Sequence, residues 1–150
     1  MGIKIISNNK KAYHDFTISD KFEAGIELKG TEVKALREGK CNLTDGWVDI
    51  TQNNEAILRD AHIGHFSHGN YMNHQETRPR RLLMHKKEII KLTHQIFAKG
   101  HTLLPLKIYF KGQYIKMELG IGKGKKQHDK RAASKTKDAN REIARAMRQK

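Results

Sequence analysis

Acidic side chains are the first shortage. Sixteen Asp and Glu stand against thirty Lys and Arg in 150 residues, a formal net charge of +14. Such a balance argues for a polyanionic partner, because cations that neutralise phosphates release condensed counterions. Cysteine is nearly absent. Cys41 is alone, so no internal disulfide forms and the chain suits a reducing compartment. Long hydrophobic runs are also missing. Ile3, Ile5 and Ile6 are interrupted by Lys4 and followed by Asn8 and Asn9, so there is no secretory h-region and no membrane span. Ile6 occupies the position where myristoylation needs a hydroxyl. The expectation is a cytoplasmic protein with no membrane partner. No G-x-S-x-G, P-loop or Gly-rich nucleotide fingerprint occurs, and Cys41 has no catalytic partner that spacing can name. The expectation is therefore no enzyme and no cofactor. A small metal-free ribonuclease using His and Lys is the rival class, although abundance of those residues is not a constellation.

What is present reads as one small domain with a tail. Phe16 and Ile18, then Phe22, Ala24, Ile26 and Leu28, alternate with polar residues, so Ser19-Asp20 reads as the turn of a hairpin. Thr31 and Glu32 open a short helix, with Val33 and Leu36 on one face and Gly39 as its stop. WVDI and AILRDAHI read as strands joined at Asn53-Asn54, where asparagine tolerates positive φ. Residues 64–81 lack periodicity and read as a long loop. Lys86 to Lys99 is the clearest helix, with Ile89, Leu92, Ile96 and Phe97 facing a core and Gly100 ending it. Leu104, Leu106, Ile108 and Phe110, then Ile115, Met117, Leu119 and Ile121, make a long hairpin with one buried face. Six strands and two short helices suggest a mainly β fold, a small antiparallel OB-like barrel over residues 1–122. A β-sandwich is the alternative; helices inserted between strands favour the barrel. Residues 123–150 form a basic tail.

Three constellations carry chemistry. His62, His65, His68 and His74 invite a metal, but their spacing is loose and no cysteine is near, so polar imidazoles on an RNA-facing loop are expected. In TRPRRLLMHKKE, the basic Arg78, Arg80, Arg81, Lys86 and Lys87 flank Leu82, Leu83 and Met84. The expected arrangement fixes the apolar side chains in the barrel wall and fans the cations outward to an RNA backbone. From Gly122 onward, 11 basic residues face 3 acidic ones. Lys137, Arg141, Arg145 and Arg148 step by four, four and three, one face of a helix. Beside them Ala139, Ile143, Ala146 and Met147 form a stripe too thin to bury itself, so the tail is expected to be disordered when free and helical on its partner.

The blocks NKKAYHDF, FEAGIELKGTEVKALREGKCNL, RPRRLLMHKKEI and LPLKIYFKGQYIKMELGIGKGKKQHDKR resemble the small protein B family, the SsrA-binding proteins of bacteria, over roughly residues 9 to 148. The resemblance implies an OB-like barrel that binds the tRNA-like domain of transfer-messenger RNA. It implies delivery of that RNA to stalled ribosomes for trans-translation, which tags the unfinished peptide for degradation. Elongation factor Tu would join through the RNA, and the protein would act as a monomer. The family's RNA-binding positions fall on Asn9, with Lys10 and Lys11 beside it, on Glu23, and on Leu83 and His85, flanked by Arg81 and Lys86. Glu23 either accepts from a base amino group or orients a basic neighbour. The decoding-centre segment falls on Gly124, Lys125, Lys126, His128, Asp129, Lys130 and Arg131. Lys137, Arg141 and Arg145 would follow it along the ribosome's empty mRNA channel.

Overall fold

The computed structural model describes residues 2–69 and 73–125. In them the chain runs β1 (Ile3–Asn8), α1 (Lys10–Asp15), β2 (Phe16–Ile26), α2 (Gly30–Arg37), β3 (Cys41–Asn42), β4 (Trp47–Ile50), β5 (Ala56–Arg59), β6 (His62–Ile63), β7 (Arg80–Leu83), α3 (Lys86–Lys99), β8 (Thr102–Lys111) and β9 (Tyr114–Gly124). The two strongest alternating runs become β8 and β9. Gly112, at φ +64°, makes the tight turn between them, and Lys111 faces Tyr114 across it.

All pairings among the described residues are antiparallel: seven strands run in the order β1-β8-β4-β5-β7-β2-β9, β9 pairs again with β8, and β3 pairs with β6 in a separate two-stranded sheet. Six strands thus close into a barrel, and β1 lies outside the ring on the free half of β8. Closure removes edges that would otherwise invite pairing with other chains. The mainly β, antiparallel expectation holds. Leu58, Leu82, Leu103, Ile108, Met117 and Leu119 fill the barrel, joined by Ala35 and Leu36 of α2 and Ile89 and Leu92 of α3. No helix among the described residues is long and apolar enough to cross a membrane.

The β8–β9 hairpin departs from the single buried face. Its register shifts between Pro105 and Lys107, which inverts the alternation of β8. Proline cannot donate to a ladder and belongs at such a bulge. Leu104 and Leu106 consequently form a second apolar cluster with Ala12, Phe16 and Ile18, apart from the main core. Gly120 and Gly122 make room for it: a Cβ on Gly120 would lie 2.6 Å from Leu106 Cδ1, and one on Gly122 2.9 Å from Leu104 Cδ1.

Five local expectations are corrected. Phe97, expected beside Ile96 on the core-facing stripe of α3, is 75% exposed. Ser19-Asp20 is a bulge rather than a turn, because Ile18 pairs with Gly122 and Lys21 with Gly120 on the same continuous β9. Thr31 does not cap α2; its hydroxyl bonds His74 Nδ1, and the Glu32 carboxylate accepts the Lys29 N–H at 2.8 Å. The run AILRDAHI breaks at Asp60, whose φ is +60°. Residues 80 and 81, expected in the loop, open β7 because their backbone pairs with β5. Asn54 (φ +58°), Gly39 (φ +77°) and Gly100 (φ +63°) take the positive φ expected at those turns and stops. The basic tail from Lys126 lies outside the described residues.

Candidate nucleic-acid interface

β7 is short but places three kinds of side chain. Its alternation buries Arg80 and Leu82 and turns Arg81 and Leu83 outward. The outward fan of cations is therefore only half right. Arg80 is fully buried with fully buried Glu32, its Nε–H donating to that carboxylate. Its other nitrogens donate to the Ala61 and Glu76 carbonyls, each at 2.9 Å. Arg78 Nη2 donates to the same Glu32 at 2.5 Å. Burial pushes the Glu32 carboxyl up, but Arg78, the Lys29 N–H and Arg80 outweigh it and hold the group below the ordinary carboxylate range. This buried pair ties α2 to β7 and fixes which faces of β7 look out.

Beside β7 lies a groove of about 680 Å³, lined by Glu23 and Gly25 of β2, Lys116 of β9, the Asn53-Asn54 turn, and Arg81, Leu83, His85 and Lys86. Gly25 pairs with Leu83 on one side and Lys116 on the other. Lacking a side chain, it leaves the groove floor open; a Cβ there would come within 3.2 Å of Leu83 Cβ. Leu83 is 52% exposed, an apolar surface with cations around it.

Glu23 is held from the β8 side. The Tyr109 hydroxyl donates to its carboxylate at 2.5 Å and Lys111 Nζ at 3.2 Å. The Tyr109 hydrogen bond, with Lys111 and Lys116, overcomes desolvation and keeps the carboxyl below its ordinary range. Burial, reinforced by Glu23, pushes the Tyr109 phenol up. Of the two roles left open for Glu23, orienting a basic neighbour is the one visible in the Lys111 contact.

The structure brings together Glu23, Arg81, Leu83, His85 and Lys86, and adds Lys116, Lys111 and Tyr109, which sequence reasoning missed. Lys116 carried one readable signal: it is a basic residue at an outward position of a strongly alternating strand. Asn9 is placed elsewhere and inward. It is 2% exposed, caps α1 by accepting the Ala12 N–H, and donates to the Leu43 and Pro105 carbonyls. That side chain is buried and committed to these interior bonds; it positions exposed Lys10 and Lys11 at the start of α1. Lys11 lines a second hollow of about 270 Å³ and approaches Asp45 at 3.9 Å. Gly124 pairs with Phe16, and Lys125 donates its N–H to Asp15 and its Nζ to the Tyr13 carbonyl. Lys126, His128, Asp129, Lys130, Arg131, Lys137, Arg141 and Arg145 lie outside the described residues.

Of the four histidines only His74 is buried; His65 and His68 are exposed and His62 half-buried. His74 is 3% exposed; its Nε2–H donates to the Ile63 carbonyl, so Nδ1 accepts from Thr31. His62 bonds Glu76, and His65 approaches that carboxylate at 3.5 Å. Among the described residues no group of His, Cys, Asp and Glu is arranged to hold a metal ion. Burial pushes the Cys41 thiol up to about 12, so it stays protonated at neutral pH.

Comparison with known proteins agrees with this architecture. The family model for SmpB protein matches residues 6–149. An SsrA-binding protein of Geobacter sulfurreducens is 53% identical over 150 residues, covering 100% of this chain and 97% of its own. One from Carboxydothermus hydrogenoformans is 54% identical over 145 residues, covering 97% of each chain. A chain in a solved structure of tmRNA-SmpB, described as a journey to the center of the bacterial ribosome, is 40% identical. It superposes with a TM-score of 0.69 over 85% of this chain and 93% of that one. With matches over essentially its whole length, this chain belongs to the SmpB family.

Proposed function

We propose that this protein binds the tRNA-like domain of transfer-messenger RNA and delivers it to stalled ribosomes for trans-translation. The observation that carries the proposal is the groove: an exposed leucine, an anchored carboxylate and the cations Arg81, Lys86 and Lys116 share one open surface. Cations position a phosphate backbone, Leu83 supplies an apolar contact that an unpaired nucleotide can use, and Glu23 holds the Lys111 ammonium in place. Relatives half identical to it carry the name SsrA-binding protein, and the matching structure is of tmRNA-SmpB and the ribosome. The protein acts by binding rather than catalysis, as a monomer, with elongation factor Tu reaching it through the RNA. The segment from Gly124 through Arg145, which leaves the barrel at the end of β9, is the part that reaches the decoding region and mRNA channel.

Sequencing the RNA that co-purifies with the full chain tests this reading. Transfer-messenger RNA should dominate, intact. A bulk tRNA profile, or RNA cleaved by the protein, would sink it.

A further inference from the structure

Two rows of directly opposed residues cross the barrel wall beside the groove. One runs Ile3, Lys111, Tyr114; the other runs Ile5, Tyr109, Lys116, Gly25, Leu83. Opposed residues of antiparallel strands project to the same face. Lys111 touches Glu23, and Lys116 and Leu83 line the groove, so both rows share the groove's face. On this wall Ile3 is 56%, Ile5 49% and Tyr114 65% exposed. Lys116 Nζ lies 6.0 Å from the centre of the Tyr114 ring.

We propose that this wall extends the groove, and that Tyr114 is a stacking platform for an unpaired base of the RNA held there. The inference rests on the RNA-binding reading above and names a residue of that site. Charge favours RNA over a protein partner: the exposed ring stands beside two lysines, the pairing of π-face and cation that single-stranded nucleotides use. Duplex RNA hides its bases, so the nucleotide in question is looped out or terminal. Continuity favours the same RNA, because the second row ends on Leu83.

Affinity of Tyr114→Ala, Tyr114→Phe and Tyr114→Trp for a transcript of the tRNA-like domain, in the full chain, tests the proposal. Tyr114→Ala should bind about tenfold more weakly, while Phe and Trp keep affinity. The slope of log affinity against log salt should stay unchanged in Tyr114→Ala, since no phosphate contact is lost. Wild-type affinity in Tyr114→Ala overturns the proposal, and so does a Phe variant as weak as Ala, which would assign the hydroxyl instead. Loss of self-association by Tyr114→Ala in sedimentation, with RNA affinity intact, would assign the wall to a second copy and overturn it too. Leu83→Ser separates the two readings. If it weakens binding and Tyr114→Ala does not, only the extension falls; if neither does, the groove reading falls as well.

Discussion

Arg80 and Glu32 form an ion pair in which neither side chain exposes any surface, although 48 positions separate them in the chain. Removing one partner of such a pair leaves a buried charge without its counter-ion. Arg80→Met should therefore cost about 3–5 kcal/mol of folding stability, read by denaturant unfolding. Wild-type stability would show that Arg78 alone suffices for Glu32. The pH dependence follows from the direction of the shift. The folded Glu32 carboxyl lies below its unfolded value. Its stabilisation is full above the ordinary carboxylate range and is lost as pH falls through the folded value. Stability curves of the wild type and Glu32→Gln should thus converge in acid, and parallel curves would contradict the assignment.

Glu23 and Leu83 should separate binding from folding. Both are exposed, so Leu83→Ser should move stability by about 0.5 kcal/mol or less, while Glu23→Ala, which leaves the buried Tyr109 hydroxyl without its acceptor, should cost about 1–3 kcal/mol and still fold. Each should weaken RNA binding, Glu23→Ala by about 1–3 kcal/mol, the scale of a lost charged hydrogen-bond partner. Titration of transfer-messenger RNA against the folded variants checks both. Unchanged affinity for either removes that residue from the site.

Asn9 should behave in the opposite way. Asn9→Ala removes a helix cap and leaves two interior carbonyls short of a donor, a cost of about 1–3 kcal/mol. The fraction that remains folded should bind RNA as the wild type does. Thermal unfolding and RNA titration of the same preparation decide the matter. Lost affinity at wild-type stability would make Asn9 a direct contact.

How much of this was legible in the chain depends on the range of the signal. Helix α3 and the β8–β9 hairpin were readable because their apolar periods are local. The bulge at Ser19-Asp20 was not, since the same residues suit a turn, and only the unbroken partner strand β9 decides between them. Arg80 looked like its neighbour Arg81; what buries it is a carboxylate 48 residues away. Lys116 joined the site through its register with Gly25, a non-local pairing that no window of sequence contains. Glu23, Leu83 and His85 were placed by family resemblance, and the same route put Asn9 among them although its side chain points inward.

Deleting residues 132–150 should leave affinity for transfer-messenger RNA nearly intact and abolish peptide tagging on stalled ribosomes. The groove is built wholly from residues before that segment. Filter binding and a tagging assay on the same truncated protein check the two halves. If truncation abolishes RNA binding, the division of labour between barrel and tail is wrong.

The pairing of β2 with β9 also governs when the protein can fold. Phe16 meets Gly124 across the β2–β9 ladder, and Ile3 meets Lys111 across another. Contacts so distant in sequence delay folding, because a large loop must close before any of them forms. During synthesis β1 has no partner until β8 is made, and β2, apart from its last residues against β7, has none until β9. A nascent chain stopped short of Tyr114 would lack both β9 and one wall of the groove, so RNA-binding competence would arrive late and all together.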